Sequence, residues 1–86
     1  MSLVYTAHFL RRLKKKVRKN PALKQKISRQ IKLLQENEHH LALRLHSLKG
    51  KRASELAIDI ESNLRITLMK IEGKIFLTDI ITHDEY

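Results

Sequence analysis

The fold is decided by residues 56–69, which read Leu56-Ala57-Ile58-Asp59-Ile60-Glu61-Ser62-Asn63-Leu64-Arg65-Ile66-Thr67-Leu68-Met69. Aliphatic side chains recur at every second position on both sides of the polar break at 61–63. Because a β-strand sends successive side chains to opposite faces, this period of two predicts two strands. A turn at Glu72-Gly73 and a further apolar run at 75–82 predict a third strand. We therefore expect an antiparallel sheet in the C-terminal half of the chain.

The register of these strands follows from matching their apolar faces across a three-residue loop at 61–63 and a two-residue loop at Glu72-Gly73. The predicted pairs are Leu56 with Leu68, Ile58 with Ile66, Asp59 with Arg65, Ile60 with Leu64, Leu68 with Leu77, and Leu64 with Ile81. Asp79 is the one misfit on the predicted core face. The opposite face is expected to carry Asp59, Arg65, Thr67, Met69, Phe76, Thr78 and Ile80.

The N-terminal part of the chain has apolar residues at helical spacing. A short strand at 3–5 precedes a helix from about Ala7 to Lys19, and a second helix ends near 36–38. Asn20-Pro21 separates the helices, because Asn caps helices and Pro is favoured at their first position. The two apolar stripes consist of Phe9, Leu10, Leu13 and Val17, and of Leu23, Ile27, Ile31 and Leu34.

Two helices joined this tightly are expected to form an antiparallel hairpin with cations on its outer side. We predict an α+β fold in which this N-terminal hairpin packs on one face of a small antiparallel sheet. The 86 residues allow one domain, 1–86, with one modest core. The alternation of Leu41, Leu43 and Leu45 indicates an extended approach to His46.

The positive charge is concentrated at the N-terminal end. The net charge is +9, and residues 1–35 carry 11 of the 18 Lys and Arg residues and no Asp or Glu. Residues 36–86 then hold seven cations against nine acids, a net charge of −2. Such a field attracts polyanions, of which nucleic acid is the first candidate, with Arg11 and Lys15 among the contacting residues. A solvated basic surface, a patch covered by an acidic partner protein, and a membrane-bound basic helix are the alternatives.

Composition also limits the compartment. The chain has no cysteine, which excludes disulfides and thiolate metal sites. The N-terminus lacks the features of a secretory signal, and no apolar run approaches the ~20 residues that span a bilayer. A soluble, cytoplasmic protein is expected.

The C-terminal run Ile81-Thr82-His83-Asp84-Glu85-Tyr86 carries side chains suited to chemistry. In the predicted register His83 lies beside Ser62, at the sheet end that holds Arg65. Metal-independent RNA cleavage needs a base, an acid and positive charge beside the phosphorane. Histidine titrates near neutrality and a guanidinium stays charged, so these residue types match the requirement. His83 is the first candidate for acid–base chemistry.

His46 is the second candidate, because a loop that could hold phosphates follows it. This loop consists of Lys49, Gly50, Lys51 and Arg52. Tyr86 could stack on a base or orient a phosphate. No metal and no cofactor are predicted, since His39, His40 and His46 lack the spacing of metal ligands.

Each candidate also has a structural interpretation. Arg65 faces Asp59 in the predicted register, so a cross-strand ion pair explains it as well as catalysis does. A lone histidine such as His46 more often hydrogen-bonds the backbone. The loop cations are ordinary turn residues by themselves, and Tyr86 is terminal.

The chain resembles the RelE/ParE superfamily of toxins from bacterial type II toxin–antitoxin systems over nearly its whole length. The matching segments are Phe9-Leu10-Arg11-Arg12-Leu13-Lys14-Lys15, Asn20-Pro21, His46-Ser47-Leu48-Lys49-Gly50, Asn63-Leu64-Arg65-Ile66 and Thr82-His83-Asp84-Glu85-Tyr86. The C-terminal segment and the His-x-Leu-x-Gly element are most similar to the YafQ-like branch of mRNA interferases.

The resemblance implies a β-α-α-β-β-β arrangement, cleavage of mRNA on the ribosome, inhibition of translation and a cognate antitoxin. It assigns the general acid–base histidine to His83, the second histidine to His46, the phosphate-contacting arginine to Arg65 and the C-terminal aromatic residue to Tyr86. YafQ-like enzymes favour a histidine where this chain has Asp59, so the catalytic set is partial.

Two functions of other classes stay open. ParE-like members share the fold and inhibit DNA gyrase without this histidine set, and a basic RNA-binding module would need no activity.

Overall fold

The computed structural model describes residues 2–61 and 63–82, which form two helices and one five-stranded sheet. In chain order the elements are β1 (Ser2–Tyr5), α1 (Ala7–Val17), α2 (Pro21–Glu36), β2 (His46–Ser47), β3 (Leu56–Glu61), β4 (Leu64–Ile71) and β5 (Lys74–Thr82). The sheet order is β1-β5-β4-β3-β2, with β1 parallel to β5 and all other neighbours antiparallel. The predicted α+β architecture is confirmed, with the short strand β2 added at one edge.

A polar side chain caps the N-terminus of each helix, and both helices begin at the residues that the sequence predicts. The Thr6 hydroxyl accepts a hydrogen bond from the Phe9 N–H at 3.2 Å, and the Asn20 Oδ1 accepts one from the Leu23 N–H at 3.1 Å. Pro21 begins α2, where its missing N–H removes no helical hydrogen bond. α1 ends at Val17, two residues before the expected Lys19.

The core lies between the helices and one face of the sheet. The buried residues that form it are Phe9, Leu23, Ile27, Ile31, Leu34, Leu43, Ile58, Leu64, Ile66, Leu68, Ile75, Leu77 and Ile80. Within the predicted stripe of α1, Leu10 is instead 47% exposed. Among the described residues, no helix is long and apolar enough to cross a membrane.

The register between β3 and β4 is largely as predicted. Asp59 pairs with Arg65, and the aliphatic pairs toward the start of β3 also match. At the loop end, however, Glu61 rather than Ile60 lies opposite Leu64, because the register shifts between Asp59 and Glu61. The bulge leaves Ile60 partly buried against the core.

The register between β4 and β5 begins as predicted and then changes. Glu72 and Gly73 both have positive φ angles, 50° and 78°, as the two-residue hairpin loop requires. Leu68 therefore pairs with Leu77. Beyond this pair a bulge shifts the register by one residue, so that Thr82 lies opposite Leu64. The predicted pairing of Leu64 with Ile81 is wrong.

This bulge resolves the misfit of Asp79. Without it, a carboxylate would face an aliphatic core at a high desolvation cost. With it, Asp79 lies opposite Thr67 on the other face, and Ile80 enters the core in its place. Ile81 moves out of the predicted core face to lie opposite Arg65.

Residues 41–43 do not extend toward His46 as expected. They form a 3₁₀ turn in which Leu43 is buried and Leu41 is 90% exposed. Side chains hold this turn: the His40 Nδ1 accepts from the Ala42 N–H at 3.0 Å, and the Gln30 Nε2 donates to the Ala42 carbonyl at 3.1 Å. These hydrogen bonds stabilise the turn, so the extended conformation predicted from the alternating leucines is wrong.

The end of β5 that β1 does not reach is covered by α1. The Arg12 guanidinium donates to the Ile80 carbonyl and to the Asp79 carboxylate, each at 3.2 Å. The Asp79 carboxylate also contacts the His8 Nε2 at 3.2 Å. α1 is thereby attached to the β5 edge of the sheet.

Replacing Asn20 with Ala should lower the free energy of unfolding by about 1 kcal/mol, because α2 loses its side-chain cap. Urea denaturation followed by circular dichroism measures this difference. Asn20→Asp is the matched control, since Asp also caps helices, and it should stay within a few tenths of a kcal/mol of the parent. Equal stability of the Ala and Asp variants would contradict the role of the cap.

Candidate active site on the helix-free face

The face of the sheet opposite the helices, here called the helix-free face, carries most of the predicted site residues that the structure describes. Strand pairing arranges it in two rows. One row runs from His46 through Ala57 and Thr67 to Asp79. The neighbouring row contains Asp59, Arg65 and Ile81. Arg44 is two residues before His46, and its side chain approaches Asp59, which extends the second row past β3.

His46 has a defined ring orientation. Its Nδ1 lies 2.7 Å from the Arg44 carbonyl oxygen. A carbonyl oxygen can only accept, so Nδ1 is the protonated nitrogen of this hydrogen bond. In the neutral ring, the lone pair is therefore on Nε2, which can accept a proton. The predicted backbone hydrogen bond of His46 is confirmed, and it is compatible with a role as a base.

Arg65 forms the cross-strand ion pair that the register predicts. Its Nε donates to the Asp59 Oδ1 at 2.9 Å, and both side chains are mostly buried. The other oxygen of Asp59 lies 3.6 Å from the Arg44 Nε, whose side chain is 77% exposed. Two guanidinium groups thus approach one carboxylate, each at a different oxygen.

His46 and Arg65 lie on the same face but not in contact. They flank β3 at positions offset by two residues. Strands about 4.8 Å apart and a rise of about 3.3 Å per residue put their Cα atoms about 12 Å apart. The two groups therefore face one shallow surface rather than opposite sides of the molecule.

The loop that follows β2 folds back over the sheet. Leu48 is buried, while Lys49 and Lys51 are exposed beside Gly50, whose φ of +70° suits glycine. The Leu48 N–H donates to the Glu55 carbonyl at 3.1 Å, which closes the loop. The two lysines are accessible to a polyanion.

Arg52 differs from the two lysines, because intramolecular contacts hold it. Its Nε donates to Glu55, and its Nη2 lies 3.4 Å from the Thr67 hydroxyl. Glu55 in turn accepts from the Thr78 hydroxyl at 3.0 Å, and that hydroxyl is 2.7 Å from Thr67. This network anchors the loop to β4 and β5 through the fully buried Thr67.

Arg11 and Lys15 lie elsewhere. Both are exposed on α1, where they line a groove with neighbouring cations of α1 and with Lys24 of α2. α1 packs beside β5, whereas His46 lies on the opposite edge strand. The structure therefore places these two residues on a basic surface separate from the helix-free face.

His83 and Tyr86 lie outside the described residues. β5 ends at Thr82, which is paired with Leu64, the residue next to Arg65. The predicted position of His83 beside Ser62 is likewise outside the described part of the chain.

Two features of the site, Arg44 and the hydrogen-bond network around Glu55, were not predicted from the sequence. Arg44 carried no usable signal, because the left-handed backbone that gives it its place is not evident from the neighbouring residue types. Glu55 also carried no signal, since its partner Thr78 lies at the bulge in β5, which the predicted register did not include.

Comparison with known proteins supports the fold. No protein-family model matches the chain, and no curated protein matches it. Among solved structures, the YoeB/ParE toxin from Agrobacterium tumefaciens is 19% identical with a TM-score of 0.79, over 96% of this chain and 99% of that chain. A mutant of YafQ from E. coli is 14% identical with a TM-score of 0.79, over 98% of this chain and 94% of that chain.

Two further matches are complexes. The E. coli DinJ–YafQ complex gives a TM-score of 0.77 at 15% identity, over 98% of this chain and 94% of that chain. The YoeB–YefM complex from Staphylococcus aureus gives a TM-score of 0.76 at 14% identity, over 96% of this chain and 97% of that chain. The chain therefore has the fold of RelE/ParE-type toxins, including YafQ, and the predicted resemblance is confirmed at the level of the fold.

Replacing Thr67 with Val should lower the free energy of unfolding by about 1–3 kcal/mol, because Thr78 and Arg52 lose a buried hydroxyl partner. Chemical denaturation measures the change. Ser54→Ala, at an exposed position of the same loop, serves as the control and should change stability by less than about 0.5 kcal/mol. If Thr67→Val and Ser54→Ala lower the free energy of unfolding by equally small amounts, the network does not anchor the loop.

Proposed function

We propose that this protein is the toxin of a type II toxin–antitoxin system and that it cleaves mRNA on the ribosome without a metal. The observation that carries the proposal is the His46 hydrogen bond to the Arg44 carbonyl, which leaves Nε2 as the proton acceptor on the face that holds Arg65. A base and a guanidinium beside one open surface are two of the three groups that phosphodiester cleavage requires, the third being an acid.

In the proposed reaction, the His46 Nε2 takes the proton of the ribose 2′-hydroxyl. The 2′-oxygen attacks the adjacent phosphorus, and the bond from phosphorus to the 5′-oxygen breaks. His83 donates a proton to that leaving oxygen. The products are a 2′,3′-cyclic phosphate and a free 5′-hydroxyl, so the reaction itself consumes no water.

Arg65 has the proposed role of stabilising the negative charge that grows on the phosphorane oxygens. Its ion pair with Asp59 fixes the guanidinium on the sheet, so that little reorganisation is needed when the charge develops. Lys49 and Lys51 bind flanking phosphates, and Tyr86 stacks on a neighbouring base. Arg52 acts mainly by holding the loop that carries the two lysines.

The basic surface of α1, with Arg11 and Lys15, has a proposed role in attracting RNA and in binding a cognate antitoxin. The proposal of an antitoxin is supported by the fold, since matching structures include the DinJ–YafQ and YoeB–YefM complexes. The absence of Asp and Glu from residues 1–35 favours an acidic partner. The site of action would be the cytoplasm, where ribosomes and mRNA are present.

His46→Ala and His83→Ala should each slow RNA cleavage by about 100- to 10,000-fold, because each removes one proton-transfer group. The measurement is cleavage of a defined mRNA by the purified protein, with and without translating ribosomes, alongside growth arrest on expression. His39→Ala is the control, because His39 is an exposed histidine in the turn that follows α2, and it should keep full activity.

Two results would contradict the proposal. One is growth arrest that survives His83→Ala. The other is an absence of cleavage in both RNA assays together with inhibition of supercoiling by purified gyrase, which would establish the ParE-like alternative.

A further inference from the structure

Arg44 has an unusual backbone conformation for its residue type. Its φ and ψ angles of 51° and 47° are left-handed, a region that costs a non-glycine residue free energy unless its surroundings hold it there. It ends the 3₁₀ turn at Leu41–Leu43, and its N–H donates to the Leu41 carbonyl at 3.2 Å. The surrounding structure therefore maintains a conformation that the residue alone would disfavour.

A side chain from α2 holds the turn that precedes Arg44. The Gln30 Nε2 donates to the Ala42 carbonyl at 3.1 Å and to the Asp59 carbonyl at 2.8 Å. One amide group thus ties the turn that precedes Arg44 to the strand that faces it. The backbone on both sides of the Arg44–Asp59 approach is therefore held by Gln30.

The conformation of Arg44 has two consequences on the helix-free face. Its carbonyl oxygen reaches the His46 Nδ1 at 2.7 Å, and this contact sets which ring nitrogen is protonated. Its side chain, largely exposed, approaches the Asp59 Oδ2, whereas the Asp59 Oδ1 accepts from the Arg65 Nε. A turn in the usual right-handed or extended conformation would direct the carbonyl and the side chain differently.

We propose that Arg44 is a positioning and phosphate-binding residue of the active site: its left-handed backbone fixes His46 as the base, and its guanidinium pairs with Arg65 to bind an RNA phosphate. The inference rests on the proposed function and adds a residue to it. Asp59 orients the two guanidinium groups, since each lies against a different carboxylate oxygen, and the Arg44 side chain stays largely exposed to a ligand.

The alternative is that Arg44 only ends the 3₁₀ turn. Three variants separate these roles. Arg44→Asn removes the charge but tolerates the left-handed conformation, Arg44→Lys keeps the charge, and Arg44→Val removes the charge and disfavours that conformation. Binding lost in Arg44→Asn but kept in Arg44→Lys reports the charge, because Asn is the better of the two in the left-handed region. Arg44→Asn and Arg44→Val both lack the charge, so a difference between them reports the backbone.

The first measurement is nitrogen NMR of the His46 ring, which reports its tautomer without any need for activity. The parent and Arg44→Asn should show the Nδ1–H form when the ring is neutral, and Arg44→Val should lose that preference. An Nε2–H ring in the parent overturns the positioning role, even if the Val variant does not fold. An Nδ1–H ring retained in a folded Val variant also overturns it.

The second measurement is binding of a 2′-O-methyl RNA oligonucleotide, which cannot be cleaved, over a range of salt concentrations. Arg44→Asn should weaken binding by about tenfold and reduce the salt slope by about 1, while Arg44→Lys recovers most of both. Equal binding by the parent and the Asn variant overturns the phosphate-binding role.

Cleavage kinetics then connect the two roles. With RNA as substrate, Arg44→Asn should raise KM, and Arg44→Val should lower kcat by a further tenfold or more, since misplacement of a base costs about this much. If the parent protein cleaves no RNA, the proposed function fails, while the ring tautomer and the binding measurement still decide the two roles of Arg44.

Discussion

The structure depends on the alternation of side chains along β4, the middle strand of the sheet. Leu64, Ile66 and Leu68 face the helices, while Arg65 and Thr67 face the other way. Two short helices can cover only one face of a sheet of this size, so the polar set remains outside the main core. The division between a packed face and a face available for binding is therefore already present in one eight-residue strand.

The features that were predicted correctly are those that one local rule determines. The cap at Asn20, the turn at Glu72-Gly73 and the pairing of Asp59 with Arg65 each follow from a few neighbouring residues. The features that were predicted wrongly depend on contacts between residues that are distant in sequence. The bulge in β5 arises because Asp79 is excluded from an aliphatic core, and a register counted from the turn cannot detect such an insertion.

The same contrast between local rules and tertiary context explains why only part of the candidate site was predicted. His46 and Arg65 were identified from residue type and from their expected face, and the structure places both on the helix-free face. Arg44 was missed because its importance comes from a left-handed backbone, which residues 41–45 do not reveal. Arg52 was identified as a loop cation, but its contacts with Glu55 and Thr67 depend on strands that are distant in sequence.

The two interpretations of Arg65 are compatible. Its ion pair with Asp59 exists, and ion pairing is also a means of fixing a charged group before a reaction. The positive charge of the molecule is likewise divided between two places. α1 carries a dense basic surface suited to long-range attraction, whereas the helix-free face holds fewer cations in defined positions.

The most direct test of this account is an NMR titration of the isotopically labelled protein with a short 2′-O-methyl RNA, following backbone and histidine ring signals. We expect the largest shifts at His46, Arg65 and Lys49, around the helix-free face, with smaller shifts along α1. Shifts confined to Arg11, Lys15 and their neighbours on α1, with His46 unaffected, would show that the helix-free face does not bind RNA.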